Sequence, residues 1–517
     1  MHTRLHDIVA AAASRDGDAP ALTYKDVTLG YAALWEQVGR VAGGLHRLGL
    51  RRGERVAVYL EKRIETVAAV FGTSAADGVF VPVNPLLRPK QVGYILADCD
   101  VRVLVTSAER YAALRDELAG CPSIEHVVLV GGEPAPDPRY TVSRWDDLAG
   151  GEPYAGGAAI DIDMAAILYT SGSTGKPKGV VLSHRNLIAG ADSVSGYLRN
   201  TSDDVILAAL PLSFDAGFSQ LTTAFTVGAH AVLMNYLLPR DVVRLCAKHG
   251  VTGLTCVPPL WIQLADQTWP ADATRQLRYF ANTGGRMPKS TLDKLRAIFP
   301  GAAPYLMYGL TEAFRSTYLD PAEVDRRPDS IGKAIPNAEI LVVRPDGTVT
   351  DPGEQGELVH RGALVAMGYW NDPERTAERF RPVPGREGAL LPEFAVWSGD
   401  LVVRDEDGFL YFVGRGDEMI KTSGYRVSPA EIEEVVYATG MVRDAVAMGV
   451  DDADLGQHIL IAVSPPAGAE VDEAALLAEL KRQLPLYMLP KQIVVRPELP
   501  RSPNGKFDRN RLRQELS

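Results

Sequence analysis

Strand-like and helix-like patterns alternate through the first 125 residues, and this alternation restricts the fold more than any other feature. Residues 31–48 place apolar side chains at helical spacing, and residues 55–60 have the pattern of a short strand. A second helical pattern at 65–76 is followed by a strand-like segment at 79–83. Strands that alternate with helices form parallel β-α-β units, because the helix returns the chain to the same edge of the sheet. The sequence therefore predicts a layered α/β fold.

The length of the chain requires more than one domain. A chain of 517 residues and 55.9 kDa exceeds what one hydrophobic core usually organises. Residues 131–161 are rich in Gly, Pro, Asp and Glu, and we predict a surface loop there, inside the first domain. A polar insertion at 381–393 precedes three short β-rich segments, at 395–397, 401–404 and 409–413.

A small second domain is predicted after these segments. The Gly-Arg-Gly-Asp sequence at 414–417 suits a hinge, which places the two domains at 1–415 and 416–517. Beyond it, a capping box predicts a helix start, with Ser428 at N-cap, Pro429 at N1 and Glu431 at N3. A second amphipathic helix is predicted over 473–484. The last hundred residues therefore have the pattern of a small α+β domain.

Composition excludes several classes of function. The net charge of −11 and the pI of about 5.4 argue against a general nucleic-acid binder. No run of about 18 uncharged apolar residues is present, and the N-terminal apolar run is too short for a signal peptide. The four cysteines lack the spacing of a zinc site. We therefore expect a cytoplasmic protein with no membrane span and no structural zinc.

The strongest chemical signal is Tyr169-Thr-Ser-Gly-Ser-Thr-Gly-Lys-Pro-Lys-Gly-Val180, which follows an apolar strand. Its glycines, hydroxyls and lysines can offer backbone N–H groups, side-chain donors and positive charge to a polyphosphate. A Walker A loop would need Gly where Thr170 stands, and Ser or Thr where Pro177 stands. The segment therefore predicts a phosphate-binding loop of another kind.

This loop resembles the signature of the adenylate-forming superfamily, which includes acyl-CoA synthetases and the adenylation domains of peptide synthetases. Further segments match the family in order, from residue 210 to residue 506: Leu210-Pro-Leu-Ser-Phe-Asp215, Asn282-Thr-Gly-Gly-Arg286, Tyr308-Gly-Leu-Thr-Glu-Ala313, Gly356-Glu-Leu-Val-His-Arg-Gly362, Trp397-Ser-Gly-Asp400, Gly414-Arg-Gly-Asp-Glu-Met-Ile-Lys421 and Pro503-Asn-Gly-Lys506. The chain is especially similar to the AMP-forming ligases associated with exosortase systems. The resemblance implies a large αβαβα-type domain with a β-rich subdomain, and a small mobile domain.

The resemblance also implies how ATP is bound. Thr170, Ser171 and Thr174 would contact phosphate oxygens, and Lys178 would lie near the departing pyrophosphate. Tyr308 would lie against adenine, and Asp400 and Arg415 would contact the ribose. The residues implied for the whole ATP site are Thr170, Ser171, Gly172, Ser173, Thr174, Gly175, Lys178, Gly284, Gly285, Tyr308, Gly309, Thr311, Asp400 and Arg415.

The same resemblance implies three residues in the chemistry and one hinge. Lys506 would stabilise the charge that develops when a carboxylate attacks the α-phosphate, because that attack brings two anions together. Glu312 would bind Mg²⁺. Lys421 would serve the later transfer of the acyl group to a thiol, after the small domain turns about Asp417.

The acid substrate is left open between two classes. Leu310 follows the pattern of acyl-CoA synthetases, whereas Phe214 and Asp215 resemble the pair with which amino-acid-activating domains bind the substrate ammonium. Met307 and Arg315 are predicted to lie near the acyl group. A carboxylate in such a pocket needs a cation. That cation is a substrate amine or, if Asp215 is structural, an internal cation, for which Arg315 is the candidate. The other structural alternative is that Asp215 caps a helix.

The thiol acceptor is also left open. The sequence ends eleven residues after Lys506, so we expect the acceptor to be a separate molecule. It is either free coenzyme A or a phosphopantetheinyl carrier protein. A nucleotide-binding protein without catalysis is the more distant alternative.

Overall fold

The computed structural model describes residues 2–87, 89–134, 137–154, 156–170, 177–386, 390–415, 420–422, 425–452, 455–484 and 486–516. The predicted phosphate-loop residues 171–176 and the predicted hinge residue Asp417 lie outside these ranges. The side chains of Arg415 and Lys421 lie outside the described part as well.

Helices occur throughout both predicted domains. In the described ranges they are α1 (Asp7–Arg15), α2 (Tyr31–Arg47), α3 (Ile64–Ala75), α4 (Pro89–Asp98), α5 (Ala108–Leu114), α6 (Trp145–Ala149), α7 (His184–Tyr197), α8 (Asp215–Val227), α9 (Pro239–His249), α10 (Pro258–Ala265), α11 (Ala271–Gln276), α12 (Lys289–Ile298), α13 (Pro373–Arg379), α14 (Pro429–Ala438), α15 (Glu473–Gln483) and α16 (Arg509–Leu516).

The strands alternate with these helices along the chain. In the same ranges they are β1 (Pro20–Tyr24), β2 (Val27–Gly30), β3 (Arg55–Tyr59), β4 (Val79–Pro82), β5 (Val101–Ser107), β6 (His126–Val130), β7 (Thr141–Arg144), β8 (Met164–Thr170), β9 (Lys178–Ser183), β10 (Val205–Ala208), β11 (His230–Leu233), β12 (Gly253–Cys256), β13 (Tyr279–Asn282), β14 (Ala303–Tyr308), β15 (Thr317–Leu319), β16 (Ser330–Ala334), β17 (Ala338–Val343), β18 (Gln355–Gly362), β19 (Gly368–Tyr369), β20 (Phe380–Pro382), β21 (Phe394–Arg404), β22 (Leu410–Arg415), β23 (Ile420–Thr422), β24 (Tyr425–Val427), β25 (Asp444–Asp452), β26 (Gly456–Ser464) and β27 (Gln492–Val495).

Two large sheets form the N-terminal part. The first runs in the order β17-β18-β21-β22-β16-β15-β14-β13-β12-β10-β11-β1-β2. Within it, the neighbouring strands β11, β10, β12, β13 and β14 are parallel to one another. Strands β12 and β13 are buried on both faces. The second runs β19-β9-β8-β4-β3-β5-β6-β7. Both sheets contribute to the main hydrophobic core, with Val56 and Val58 from β3 and Ile206 and Ala208 from β10.

The C-terminal part has its own sheet and core. The sheet runs β24-β23-β26-β25, and β27 pairs with β26. Helices α14 and α15 bury Ile432, Val436, Leu476 and Leu480 in one apolar cluster with this sheet. The predicted α/β class, with a large N-terminal and a small C-terminal part, is confirmed. The boundary at residues 415 and 416 stays a prediction.

The structure corrects three local predictions. Residues 131–161 are not all loop, because Thr141–Arg144 forms a strand and Trp145–Ala149 a helix. The segments predicted at 395–397 and 401–404 form one strand, Phe394–Arg404. Ser428 does lie at the N-cap of α14, followed by Pro429, but its side chain makes no capping hydrogen bond. The predicted capping hydrogen bond of the Ser428 side chain is therefore wrong, and the side chain of Glu431 lies outside the described part of the chain.

Among the described residues, none of the helices combines the length and the apolar character that crossing a membrane requires.

Candidate active site

The parallel strands of the first sheet bring the separate motifs together. Because parallel strands end at the same edge of a sheet, the segments that follow β10, β12, β13 and β14 emerge side by side. In register, Cys256 pairs with Asn282, and Asn282 pairs with Leu306. The motif that begins at Asn282 therefore lies beside the one that begins at Tyr308, although 26 positions separate them in the sequence.

A cavity of about 340 Å³ opens at this edge. Its volume is within the range of about 300–1,000 Å³ that small-molecule sites usually have. Both parts of the chain contribute to its walls. Among the lining residues are Gly284, Gly285, Tyr308, Gly309, Asp400 and Lys506.

Tyr308 and Asp400 form a hydrogen-bonded pair in the wall of the cavity. The hydroxyl of Tyr308 donates to Oδ2 of Asp400 at 2.5 Å. The carboxylate is buried, and its own backbone N–H donates to Oγ of Ser398 at 3.0 Å. Strand pairing sets the backbone of Arg415 opposite Asp400. A carboxylate held in this way suits a ligand that offers hydroxyl donors, such as a ribose.

Gly284 allows the chain to pass close to Lys506. Its φ of +76° lies in the left-handed region, which favours glycine. A β-carbon there would lie 3.2 Å from Val257 Cγ1 and 3.8 Å from Lys506 Cε. Lys506 thus reaches the cavity from the small domain, at the end of a turn where Ser502 N–H donates to the Lys506 carbonyl at 2.8 Å.

The small domain is docked on the large one at this turn. Asn84 Nδ2 donates to the carbonyl of Pro503 at a long 3.5 Å. Nearby, the backbone N–H of Lys289 donates to Glu434 Oε1 at 2.9 Å. The structure therefore holds the small domain in the orientation that brings Lys506 to the cavity. Lys421 belongs to β23, and its side chain is outside the described residues.

Glu312 lies in a compact polar cluster with Lys178 and Tyr369. Lys178 Nζ donates to Glu312 Oε1 at 2.9 Å and to the Tyr369 hydroxyl at 2.7 Å. The Tyr369 hydroxyl donates to Glu312 Oε1 at 2.6 Å. Burial alone would raise the pKa of Glu312, but the charges of Lys178 and Arg379 lower it to about 2. Glu312 is therefore ionised at neutral pH.

This carboxylate fits Mg²⁺. The ion prefers oxygen ligands and is usually held by one or two carboxylates together with substrate phosphates. In the described ranges there is no group of three or more His, Cys, Asp or Glu side chains arranged for a metal. Glu312 would therefore hold the ion jointly with a bound nucleotide. Thr311 begins the short 3₁₀ turn that carries Glu312.

The phosphate loop is described only at its two ends. Thr170 ends β8, and its buried Oγ1 has no hydrogen-bond partner among the described residues. Lys178 begins β9, which pairs with β8, so Thr170 and Lys178 lie opposite each other. The loop residues Ser171, Gly172, Ser173, Thr174 and Gly175 lie outside the described ranges, and their contacts with phosphate stay predictions.

Asp215 and Arg315 form an ion pair beside the cavity. Asp215 is the first residue of α8, with Phe214 at the N-cap, and a helix N-terminus stabilises a carboxylate. Arg315 Nη1 donates to Asp215 Oδ2 at 3.1 Å and to the carbonyl of Phe314 at 3.0 Å. Arg315 is only 2% exposed. The structure thus supplies the internal cation that the sequence left as one alternative for Asp215.

Phe314 has an unusual backbone conformation that directs Arg315. Its φ of +58° and ψ of −56° belong to a strained γ-turn, in which Arg315 N–H donates to the Ala313 carbonyl at 2.6 Å. The phenyl ring is fully buried, and a β-carbon on Gly190 of α7 would lie 2.5 Å from it. Strain of this kind persists only where surrounding packing imposes it, and it concentrates at functional sites.

Arg315 borders a second, much smaller cavity of about 10 Å³. That volume is close to the least that holds one water molecule. Polar side chains make up much of its wall, and Met307 is shared between this cavity and the larger one. Its lining includes Ala216, Ser219, Thr223, Met307 and Arg315.

We predict that Gly190→Ala destabilises the protein by about 1–3 kcal/mol, because the new methyl group overpacks the ring of Phe314. Helix propensity alone would give the opposite sign, a gain of about 0.5–1 kcal/mol. The matched control is Gly196→Ala in the same helix, where a β-carbon meets nothing within 4 Å. Thermal unfolding of both variants checks this; equal stabilisation of both would contradict the packing of Phe314.

Two important residues were not predicted from the sequence. The first is Tyr369, whose hydroxyl is hydrogen-bonded to both Lys178 and Glu312. The second is Lys62, whose Nζ donates to three consecutive backbone carbonyls, those of Ala208, Ala209 and Leu210, at 2.7, 2.8 and 2.9 Å. Lys62 is buried, and this burial lowers its pKa to about 7. It fixes the chain that leads from β10 to Asp215. Neither residue stands in a motif that points to its partners.

The comparison with protein families gives two matches. Residues 9–370 match the model described as AMP-binding enzyme, and residues 431–506 match the AMP-binding enzyme C-terminal domain.

Relatives of different kinds align along nearly the whole chain. A long-chain-fatty-acid–CoA ligase of Salmonella typhimurium is 30% identical over 99% of this chain and 94% of its own length. A sulfoacetate–CoA ligase of Cupriavidus necator is 32% identical over 98% of this chain and 96% of its own. Tyrocidine synthase 3 of Brevibacillus parabrevis is 30% identical over 98% of this chain, which corresponds to 8% of that protein.

Solved structures have the same fold. ATP-bound MatB from Rhodopseudomonas palustris superposes with a TM-score of 0.86 and 28% identity, covering 99% of this chain and 98% of MatB. An anthranilate CoA ligase in complex with anthranoyl-AMP has a TM-score of 0.89 and 24% identity, covering 99% and 97% of the two chains. Because the anthranilate CoA ligase is only 24% identical to this chain, its similarity is evidence for the fold alone.

Proposed function

Because this chain belongs to the AMP-binding enzyme family, as an AMP-forming ligase, we propose that it activates a small carboxylic acid with ATP and transfers it to coenzyme A. The observation that carries this proposal is the position of Lys506. The small domain places it at the cavity that Gly284, Tyr308 and Asp400 line. A cytoplasmic location stays a prediction.

In the proposed first step, a carboxylate oxygen of the acid attacks the α-phosphorus of ATP. The bond from this phosphorus to the bridging oxygen breaks, and pyrophosphate leaves. Lys506 stabilises the negative charge of the approaching carboxylate and of the α-phosphoryl oxygens. Lys178 and Glu312 face the leaving group, and Mg²⁺, when bound, neutralises part of its charge. The product is an acyl-adenylate.

In the proposed second step, the sulfur of the thiol attacks the acyl carbon and AMP leaves with its phosphate. One oxygen of the original acid departs in AMP. Free coenzyme A is favoured as the thiol, because two relatives that match this chain over 94% and 96% of their own length are named as CoA ligases. Lys421 serves this step in our proposal, after the small domain has turned about Asp417.

A second candidate is an amino acid loaded onto a phosphopantetheinyl carrier protein. It is favoured by Asp215, whose Oδ1 accepts no hydrogen bond from the described residues, so that it could bind a substrate ammonium. A peptide synthetase is also among the relatives. Thioester products measured by mass spectrometry, with coenzyme A and a carrier protein as competing acceptors, distinguish the two candidates.

We predict that Lys421→Ala leaves pyrophosphate release unchanged and slows thioester formation from a preformed adenylate. The reason is that the two half-reactions use different orientations of the small domain. Single-turnover measurements of each half-reaction provide the test. Equal losses in both steps would contradict the assignment of Lys421 to the second one.

A further inference from the structure

The guanidinium of Arg315 uses only part of its hydrogen-bonding capacity. Nη1 donates to Asp215 and to the Phe314 carbonyl. Nε is buried and donates to no residue in the described part of the chain. A buried donor without an acceptor is unfavourable, because it has lost its hydrogen bond to water. The Nε–Nη2 edge of Arg315 therefore favours a ligand that supplies acceptors.

This edge belongs to a side chain that lines the small cavity beside the reacting centre. Arg315 shares the wall of that cavity with Ser219, Thr223 and Met307. The γ-turn at Phe314 and the bond to Asp215 hold the guanidinium there, so its donors are positioned before any ligand binds. Two parallel N–H bonds along one edge match the two oxygens of a carboxylate, which arginine binds in bidentate fashion.

We propose that Arg315 binds a second carboxylate of the acid substrate, so that the enzyme activates short dicarboxylic acids. This inference rests on the proposed function and names its substrate class. The small cavity, of about 10 Å³, holds little more than one oxygen atom of the acid, so a long chain does not fit there. A fatty acid would also leave the buried Nε of Arg315 without an acceptor.

The charges of Asp215 and Arg315 affect which dicarboxylic acids this site would favour. Asp215 and Arg315 neutralise each other, so a second carboxylate brings one negative charge into a buried site. An amino group on the acid would offset that charge by contacting Oδ1 of Asp215. Succinate and malonate lack the amino group and aspartate carries it, so a comparison among them shows whether Asp215 also takes part.

The test compares matched acids with the wild-type enzyme. The pairs are malonate with propanoate, succinate with butanoate, and aspartate with 2-aminobutanoate; in each, a terminal methyl group replaces a carboxylate. We expect kcat/KM, measured as pyrophosphate release, to favour the dicarboxylic member of at least one pair by about 10²-fold or more. Arg315→Lys keeps the charge but loses the paired donors, and should reduce that ratio at least tenfold.

Binding is measured separately from turnover. Each acid is titrated calorimetrically into the wild-type enzyme with a non-hydrolysable ATP analogue, and the KM for ATP shows whether Arg315→Lys remains folded. Equal turnover within every pair, or a ratio that Arg315→Lys leaves unchanged, overturns the inference and leaves the proposed function standing. Binding of a dicarboxylic acid without turnover of any acid overturns the function, and activation with it, and leaves only the binding of the second carboxylate by Arg315 standing; the absence of both binding and turnover overturns both proposals.

Discussion

Lys506→Ala is expected to reduce acyl-adenylate formation by about 10²–10³-fold, the usual effect of removing one preorganised charged contact to a transition state. ATP binding should persist, because Tyr308, Asp400, Gly284 and Glu312 all belong to the large domain. Pyrophosphate release and calorimetric titration of ATP measure the two properties separately.

The control for this variant is Lys481→Ala. Lys481 is an exposed lysine in α15 of the same small domain, so its removal changes the charge of the domain equally. It should leave adenylation at the wild-type rate. Near-normal adenylation by Lys506→Ala would refute the role of Lys506, whereas a similar loss in both variants would indicate a general effect of charge.

Asp215→Ala is expected to reduce the free energy of unfolding by about 3–5 kcal/mol, because it leaves the guanidinium of Arg315 buried without its partner. If Asp215 had no partner in the protein and the substrate were a plain acid, the same change would do little or would help, because it removes a repulsive charge. The ion pair alters this effect, since the loss of stability arises in the protein itself. Denaturant unfolding and pyrophosphate release together measure the effect, and activity should fall with stability.

The double variant Asp215→Ala/Arg315→Met separates the pair from the substrate. Replacement of a whole buried ion pair by apolar side chains is often neutral or stabilising, so most of the lost stability should return. Discrimination within the acid pair that the wild-type enzyme distinguishes should not return, because a methionine side chain at this position offers no donor. If the double variant is no more stable than Asp215→Ala, the pair is not the source of the loss.

The large elements could be predicted from the sequence because their patterns are long and regular. The helical spacing at 31–48 corresponds to α2, and the segment at 55–60 to β3. Gly284, Tyr308 and Asp400, which the family resemblance assigns to one ATP site, do line one cavity, and their contacts with ATP stay predictions. The helix and strand patterns depend only on residues that are neighbours in sequence.

The irregular strand β21, the contact of Tyr369 with Glu312 and the turn at Phe314 could not be predicted, because they depend on contacts between residues that are distant in sequence. The sequence predicts two separate β segments on either side of the Ser-Gly-Asp sequence at 398–400. The structure has one strand there, β21, which accommodates Gly399 with its φ of +70° at an irregular position. Tyr369 reaches Glu312 across 57 positions, and no local pattern marks it. The γ-turn at Phe314 is imposed by packing against α7, which no propensity of Phe would suggest.

The central claim is that the enzyme couples an acid to the α-phosphate of ATP. Its most direct test is transfer of ¹⁸O from labelled acid to nucleotide, with malonate, succinate and aspartate as the acids and coenzyme A as the acceptor. We predict AMP that contains one oxygen of the acid, together with unlabelled pyrophosphate. Formation of ADP, or AMP without the label during thioester synthesis, would contradict it.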